Sequence, residues 1–263
     1  ALKFLEDFSF SPQDIDFLKK KAIFKDGFLD YLKNLRFTGS VYALPEGTVF
    51  FPNEPILRVS APILEAQLVE SYLLNVINVA ATICSKAIRV VLAAKGKGVY
   101  DFSLRRTQGP DAGLAASRSS YIAGCSGTSN VLAGYLYNIP IAGTMAHSFV
   151  MSFKSELGSF RAYASTFPDS ATFLVDTYDY NRGIENAICA AKELESKGRR
   201  LRAIRLDSGD LARISQGARV MLDKAGLAYV KIFASGNLDE YKIEKLLKDG
   251  AKIDNFGVGT NMG

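Results

Sequence analysis

The single histidine of the chain, His147, is the side chain best suited to nucleophilic chemistry. A neutral imidazole offers a nitrogen nucleophile at pH 7 without further activation. The apolar run from Pro140 to Ala142 predicts a short buried strand shortly before it, which would hold the ring on a rigid scaffold. For this residue alone, a core histidine hydrogen-bonded to a backbone carbonyl is the alternative. The surrounding pattern therefore has to decide between the two roles.

Polar or glycine-rich residues follow nearly every apolar segment in the second part of the chain, and this recurrence favours the catalytic role of His147. In parallel β/α barrels the chemistry lies where the strands end, so such residues would meet at one rim. The groups are Arg105–Arg106, Ser129–Asn130, His147, Asp176, Asp207–Asp210, Ser235–Asn237 and Gly257–Thr260.

Two glycine-containing segments are candidates for binding a phosphate group. Gly257-Val258-Gly259-Thr260 follows an apolar segment, so its backbone amides can approach phosphate oxygens closely, with the threonine hydroxyl as a further donor. Taken alone, this segment is equally consistent with a tight turn. Ser235-Gly236-Asn237 follows the preceding predicted strand, and late neighbouring strands are where barrels often bind phosphate. Together the two segments favour a phosphate site.

Four charged residues are candidates for binding the rest of a phosphorylated substrate. Asp207 and Asp210 flank a Ser-Gly turn and could hold sugar hydroxyls or magnesium, the usual companion of a pyrophosphate. For Asp210, a favourable charge at a helix N-terminus is the alternative. Arg105 and Arg106 suit a carboxylate or pyrophosphate, because a guanidinium group pairs with two oxygens, and a surface ion pair is the alternative. Asp176 has the weakest case and is also a candidate helix cap.

The first part of the chain predicts helices and a small antiparallel unit. Serine followed by proline at Ser11-Pro12 is typical of a helix start, and period-two alternation after residue 36 is typical of strands. The predicted helices cover 12–21, 26–35, a stretch that begins at Pro62, and 80–94, and the predicted strands cover 36–43, 48–51 and 55–59.

From Gly98 onward, apolar strands alternate with amphipathic helices in roughly seven units, which implies parallel pairing and right-handed crossovers. We therefore predict an α/β fold, an incomplete, about seven-stranded TIM-like β/α barrel beside a smaller α+β domain. A doubly wound sheet is the alternative, since a sequence alone cannot show closure. The predicted domains are residues 1–97 and 98–263.

Composition disfavours several other classes of protein. Hydrophobic content of 48% and charged content of 22% are typical of a soluble globular protein. The most apolar segment, 71–91, is interrupted by asparagine and charged residues, so no membrane span is predicted. The cysteines lack metal or disulfide spacing, which favours the cytoplasm. The net charge of +5 is not clustered as nucleic-acid binding would require, and a polyanionic small substrate explains it equally well.

Several motifs together resemble nicotinate phosphoribosyltransferase, a type II phosphoribosyltransferase. They are Pro45–Gly47 with Phe51–Pro55, Asp101–Arg106, Gly109–Asp111, Gly127–Val131, Gly143–Ser148, Leu206–Asp210 and Gly257–Thr260. The resemblance implies an enzyme of NAD biosynthesis that joins nicotinate to phosphoribosyl pyrophosphate, giving nicotinate mononucleotide and pyrophosphate. It also implies ATP hydrolysis coupled through a phosphohistidine at His147, with ATP and Mg²⁺ as cofactors.

The resemblance further implies individual roles. Phe102 would stack on the pyridine ring, Arg105 would lie near the pyridine carboxylate, and Asp207 would bind the ribose diol. The implied 5′-phosphate cradle is Gly236, Asn237, Gly259 and Thr260. The other substrate-binding candidates are Arg106, Ser129, Arg205, Ser235 and Gly257, the candidate magnesium ligand is Asp210, and the candidate catalytic residues are His147, Asp207 and Arg105.

Partners and alternatives follow from the same resemblance. It implies small-molecule substrates and a homodimer with active sites at the subunit interface, without nucleic acid or membrane, and flanking segments beyond both ends of this chain. A nicotinamide-using relative would carry an acidic residue where Ser129 lies. A quinolinate-using relative would lack the histidine motif. A catalytically inactive binding module is the third alternative, which the presence of Arg105, His147 and Asp207 disfavours.

Overall fold

The computed structural model describes residues 1–263, which form two compact units, Ala1–Ala80 and Ala81–Gly263. The boundary falls within a long helix, whereas the sequence placed it at residue 98, after that helix ends. The helix is continuous because no glycine or proline interrupts its sequence.

The first unit contains short helices and one antiparallel strand pair. Its elements are α1 (Leu2–Glu6), α2 (Pro12–Lys20), α3 (Asp26–Asn34), β1 (Ser40–Ala43), β2 (Leu57–Ser60) and the start of α4 (Ile63–Ala93). Ser11 and Asp14 form a capping box that fixes the start of α2. The predicted strand at 48–51 was wrong, because these residues are exposed and form a turn region between β1 and β2.

Helix α4 replaces the two helices predicted for this stretch. It runs for 31 residues, since Asn75 and Asn78 lower helix propensity without ending the helix. By length and composition alone, α4 could cross a membrane, so the sequence-based exclusion of such a segment was too strong. The core helix of a soluble protein meets the same criteria.

The second unit is a parallel α/β structure. Its strands are β3 (Gly98–Asp101), β4 (Gly127–Thr128), β5 (Thr172–Leu174), β6 (Ala203–Leu206), β7 (Lys231–Ala234) and β8 (Asn255–Val258). Its helices after α4 are α5 (Pro110–Ile122), α6 (Val131–Tyr137), α7 (His147–Met151), α8 (Glu156–Thr166), α9 (Tyr180–Ser196), α10 (Leu211–Lys224) and α11 (Glu240–Lys248), with a 3-10 helix at Leu104–Arg106.

The strands of this unit form one parallel sheet in the order β4-β3-β8-β7-β6-β5. The first strand, β3, therefore lies beside the last, β8, which is the cyclic order that a barrel requires and a doubly wound sheet lacks. The predicted buried strand at 140–142 contributes only one bridge, from Ile141 to Thr128, because Pro140 has no N–H to donate, and Ile141 is exposed instead of buried. The α/β class is confirmed, while a closed seven-stranded barrel stays a prediction.

Fully buried strand residues form the core of this unit and hold the strand ends in place. Phe173, Ile204, Ile232 and Phe256 each come from a different strand of the sheet and are inaccessible to solvent. Three helices then begin directly beyond the strand ends, capped by aspartates that accept N–H bonds from the first turn: Asp179 for α9, Asp210 for α10 and Asp239 for α11. Polar residues therefore concentrate at one end of the sheet.

Candidate active site

Arg205, on β6, is the centre of the candidate site. Its guanidinium group donates from Nε to Ser235 Oγ, from Nη1 to Thr144 Oγ1 and from Nη2 to Asp207 Oδ1, each over 2.7 Å. The side chain is only 14% exposed, so these bonds are shielded from water. One planar group thus joins the ends of β6 and β7 to the loop that precedes His147.

Asp207 follows β6 and is held on both oxygens. Oδ1 accepts hydrogen bonds from Arg205 and, over 2.5 Å, from the Ser235 hydroxyl, while Oδ2 lies 3.5 Å from His147 Nε2. Burial opposes ionisation, but the charge of Arg205, the two hydrogen bonds and His147 outweigh it and hold the pKa of Asp207 below its usual range. Asp207 is therefore an anion at neutral pH, with Oδ2 turned towards the histidine.

His147 is the first residue of α7 and lies between two polar partners. Its Nδ1 is 3.1 Å from Thr177 Oγ1, and its Nε2 faces Asp207. The side chain is 41% exposed, so His147 is not a core histidine bonded to a carbonyl. Both ring nitrogens are oriented, and the ring remains accessible to a ligand.

An aromatic stack lies beside these polar groups. The Phe102 ring stacks on Phe233, with centroids 5.6 Å apart and an interplanar angle of 17°, and the Arg205 guanidinium carbon lies 5.8 Å from the Phe102 centroid. A Cβ at Gly257 would approach both rings to within 2.8 Å. Gly257 is therefore buried within β8 as a packing position for the rings, a different role from the predicted phosphate cradle.

The two predicted phosphate-binding segments lie next to one another. Asn261 Nδ2 donates to Asn237 Oδ1 over 3.2 Å and to the Leu238 carbonyl over 3.1 Å, which ties the segment after β8 to that after β7. Gly236 has φ +99°, and a Cβ there would collide with the Asp207 carbonyl. A Cβ at Gly259 would lie 3.1 Å from the Phe102 carbonyl oxygen, so this position also favours glycine.

The predicted pyridine-side residues lie after β3 and β4. Arg105 and Arg106 are exposed on the 3-10 helix and make no ion pair, unlike the surface-pair alternative. Ser129 is anchored through its backbone N–H, which donates to the Asp101 carbonyl over 2.8 Å. Phe102 is tied by its own N–H to the Val258 carbonyl over 2.8 Å.

The remaining predicted residues have structural partners. Asp176 does not cap α9, because Asp179 does so, and instead Oδ2 accepts from the Asp207 N–H and the Ser208 hydroxyl, both over 2.7 Å. Asp210 caps α10. No group of three or more histidine, cysteine, aspartate or glutamate residues is placed to hold a metal ion. A magnesium ion here would need substrate oxygens for most of its ligands.

Direct contacts unite part of the predicted set, namely His147, Arg205, Asp207, Ser235 and Phe102. Arg105, Arg106 and Thr260 are exposed and outside this network. Sequence reasoning missed Thr144, Thr177, Phe233 and Asn261. Thr144 lies within the same short motif as His147, which was the available signal. For the others no local pattern exists, because their contacts come from residues distant in the chain.

Comparisons with known proteins assign both parts of the chain to one family. Residues 1–78 match a sequence profile described as the nicotinate phosphoribosyltransferase N-terminal domain. Residues 98–263 match the profile of the nicotinate phosphoribosyltransferase family. The profiles together cover most of the chain and confirm the family resemblance.

Individual relatives carry the same name. The chain is 51% identical to nicotinate phosphoribosyltransferase pncB2 of Mycobacterium tuberculosis, over 100% of the chain and 56% of that protein. It is 45% identical to nicotinate phosphoribosyltransferase of Bacillus subtilis, over 100% of the chain and 53% of that protein. The chain therefore spans about half the length of the curated relatives it matches.

Solved structures share the fold. The crystal structure of human nicotinic acid phosphoribosyltransferase superimposes with a TM-score of 0.91 at 33% identity, covering 98% of this chain and 63% of the human chain. A nicotinate-nucleotide pyrophosphorylase from Pyrococcus furiosus superimposes with a TM-score of 0.76 at 33% identity, covering 86% of this chain and 58% of that one.

Proposed function

Because the chain belongs to the nicotinate phosphoribosyltransferase family, we propose that it provides the catalytic core of an enzyme that makes nicotinate mononucleotide. The substrates are nicotinate and phosphoribosyl pyrophosphate, and the second product is pyrophosphate. The observation that carries this proposal is the network in which Arg205 joins Asp207, Ser235 and the His147 loop beside the Phe102 ring. It combines an anion, a shielded cation, an imidazole and an aromatic surface.

In the proposed transfer step, the lone pair of the pyridine nitrogen forms the bond to C1 as the bond from C1 to the pyrophosphate oxygen breaks. The nitrogen is already a nucleophile, so no general base is needed. Asp207 Oδ2 binds the ribose hydroxyls, since Oδ1 is occupied by Arg205 and Ser235. The amides around Gly236 and Gly259 bind the 5′-phosphate, because Gly236 has a positive φ of +99°, as in turns whose amides bind anions, and both positions favour glycine over a side chain.

Electrostatics favour the same step. Charge gathers on pyrophosphate as C1 becomes cationic, and preorganised donors stabilise departing charge by roughly 3 kcal/mol each. Arg105 and Arg106 are exposed and make no ion pair, so they are available to the nicotinate carboxylate and to the phosphates. Magnesium, bound mainly by substrate oxygens with Asp210 as the candidate carboxylate, would neutralise further charge on the pyrophosphate.

We also propose that ATP drives the reaction through His147. One imidazole nitrogen attacks the γ-phosphorus, a nitrogen–phosphorus bond forms, the bond to the bridging oxygen breaks, and ADP leaves. Thr177 and Asp207 each lie against one ring nitrogen, so phosphorylation of either nitrogen replaces one of these contacts. Water later cleaves the phosphohistidine, which returns the site to its starting state.

The proposal includes an assembly and a location. The full-length enzyme is a homodimer with active sites at the subunit interface, and it works in the cytoplasm on small molecules. Sedimentation of the full-length protein would test the dimer, which a monomer at assay concentration would exclude.

Substrate choice tests the proposed activity. Ser129 offers no carboxylate to accept an amide N–H, and Arg105 and Arg106 offer cations to a carboxylate. We expect the full-length protein to convert nicotinate and not nicotinamide, with the product identified by mass spectrometry. Ser129→Asp should lower nicotinate turnover through like-charge repulsion, whereas Ser129→Ala serves as the matched neutral control.

The same assay addresses the alternatives. Equal use of the acid and the amide would exclude the specificity argument. Release of carbon dioxide from quinolinate would favour the decarboxylating relatives, an outcome to include because of the pyrophosphorylase likeness. Binding of phosphoribosyl pyrophosphate without any product would favour an inactive binding module.

A further inference from the structure

A buried carboxylate outside the Arg205 network lies at the end of β3. Asp101 has no accessible surface, and all of its observed donors are neutral. Oδ1 accepts from the Ser103 N–H over 2.9 Å and from the Ser103 hydroxyl over 2.6 Å. Oδ2 accepts from the Ser117 hydroxyl over 2.9 Å and from Thr128 Oγ1 over 2.8 Å. We call these four residues the Asp101 cluster.

A contribution to stability does not by itself explain the Asp101 cluster. Burial of a carboxylate costs several kcal/mol before its hydrogen bonds offset that cost, and apolar packing of the same volume is often equally stable. The Asp101 carboxylate holds three segments of the chain in fixed relative positions, because each of its two oxygens accepts two hydrogen bonds. These segments are the turn after β3, helix α5 and strand β4.

The cluster connects the two loops that carry the pyridine-side residues. Ser103 lies between Phe102 and the 3-10 helix that bears Arg105. Thr128 immediately precedes Ser129, and its hydroxyl also accepts the Asn130 N–H over 3.0 Å. The Asp101 backbone takes part as well, since its carbonyl accepts the Ser129 N–H. Asp101 therefore ties the segment that carries the stacking ring to the Ser129 loop, in addition to the pairing of β3 with β4.

We propose that Asp101 is a positioning residue that sets the width of the pyridine site, and so the enzyme's affinity and selectivity for nicotinate. This inference rests on the proposed function, because it assigns the pyridine to the space between these loops. Asp101 acts through Ser103 and Thr128 and does not itself touch the substrate. Apart from Arg105 and Arg106, the groups proposed to bind phosphoribosyl pyrophosphate, Asp207 and the amides around Gly236 and Gly259, lie in other loops, so its binding depends less on Asp101 than that of nicotinate does.

Asp101→Asn tests the proposal in the full-length protein. The amide nitrogen cannot accept, so one pair of donors loses its partner while side-chain volume is unchanged. Loss of a hydrogen bond to a buried charge corresponds to about a tenfold effect or more. We expect the KM for nicotinate to rise about tenfold, the KM for phosphoribosyl pyrophosphate to change less than about twofold, and discrimination against nicotinamide to weaken.

Three further variants separate positioning from mere stability. Thr128→Val removes the hydroxyl at constant shape and should reproduce the selective rise, whereas Thr128→Ser restores the hydroxyl and should rescue it. Ser215→Ala removes an equally buried hydroxyl on α10, which accepts the Lys252 N–H and makes no contact with the Asp101 cluster. It should lower the melting temperature and leave both KM values unchanged.

The outcomes distinguish this inference from the proposed function. Equal rises in the KM for nicotinate and the KM for phosphoribosyl pyrophosphate would overturn the positioning role, and so would unchanged KM values in folded Asp101→Asn and Thr128→Val. In either case, product formation by the wild-type protein would still support the proposed function. Absence of nicotinate mononucleotide from the wild-type reaction would overturn both. If Asp101→Asn does not fold, the Thr128→Val and Thr128→Ser pair decides by the same comparison.

Discussion

The guanidinium of Arg205 illustrates why residue type matters at this site. Its three nitrogen atoms donate to three different partners, Ser235, Thr144 and Asp207, in a fixed planar fork. Lysine has the same charge but a compact ammonium group that cannot reach all three in this geometry.

Replacement of Arg205 by lysine should therefore be far from conservative. Two of the three partners lose their donor, which costs about 2–3 kcal/mol and corresponds to about a 30- to 150-fold loss of kcat/KM. Steady-state kinetics with nicotinate and phosphoribosyl pyrophosphate would measure this loss. If the kcat/KM of Arg205→Lys stayed within about threefold of the wild-type value, the positive charge alone would be sufficient for activity.

Residue types and spacing identified the site only in part. His147 and Asp207 could be found because each follows an apolar segment in a recognisable motif, whereas Arg205 lies inside β6 and was a candidate only through the family resemblance. Thr177, the neighbour of His147 Nδ1, could not, because a threonine after an aspartate is common and its contact spans 30 residues. Gly257 was assigned to phosphate because a sequence does not show that aromatic rings occupy the space beside it.

At the scale of elements, the parallel pairing of β5 with β6 places Asp176 beside Asp207, and α9 packs closely against the end of β5. Gly183, in the first turns of α9, leaves room for this approach, since a Cβ there would collide with the Val175 carbonyl. Asp176 can then accept the Asp207 N–H. The glycine thus determines how closely helix and strand pack.

Gly183→Ala should displace α9 and destabilise the protein by about 1–3 kcal/mol, as overpacking usually does. Gly217→Ala is the matched control, because Gly217 lies in α10 with open space around its Cβ position. It should stabilise the protein by about 0.5–1 kcal/mol through helix propensity. Urea unfolding would measure both, and equal effects of the same sign would contradict the packing argument.

The elements of the second unit were more predictable than those of the first. Alternating apolar strands and amphipathic helices carry a strong local signal, so the alternation predicted from Gly98 onward is present in the regular succession of β5 to β8 and α9 to α11. In the first unit, the apolar residues at 48–51 suggested a strand. They are exposed instead, because the pairing of β1 with β2 leaves them in the connection.

At the scale of the whole molecule, one buried acid and one partly buried acid contribute to stability at alkaline pH. Burial raises the pKa of the Cys125 thiol to about 12, and burial with a hydrogen bond to Glu195 raises the pKa of Tyr229 to about 12. The ordinary values are 9.0 and 10.0. The folded state therefore retains both protons over a range in which the unfolded state releases them.

The free energy of unfolding should accordingly fall as the pH rises from about 9 towards 12, with the full contribution present below pH 9. The double variant Cys125→Ala, Tyr229→Phe removes both groups and should have a flatter pH profile over this range. Chemical unfolding at several pH values would measure the slopes. Identical slopes in the two proteins would exclude these groups as the cause.

The sequence predicted the α/β class of the fold, but it could not predict whether the sheet closes into a barrel. Local periodicity indicates parallel β/α units, whereas the neighbour relation between β3 and β8 joins segments some 157 residues apart and leaves no trace in local sequence. The sheet order explains why residues from both ends of the second unit, such as Phe102 and Gly257, meet in one site. This convergence is what the proposed chemistry requires of the fold.

The proposed coupling of ATP hydrolysis to phosphoribosyl transfer through one network of residues is tested most directly in a single reaction. The measurement compares the amount of ATP hydrolysed with the amount of nicotinate mononucleotide formed. With the full-length wild-type protein, nicotinate should stimulate ATP hydrolysis, and both products should accumulate together. His147→Asn keeps a polar side chain without the nucleophile, so it should form nicotinate mononucleotide slowly and hydrolyse no ATP in response to nicotinate. Nicotinate-stimulated hydrolysis that persists in His147→Asn, or wild-type protein that forms no nicotinate mononucleotide, would contradict the claim.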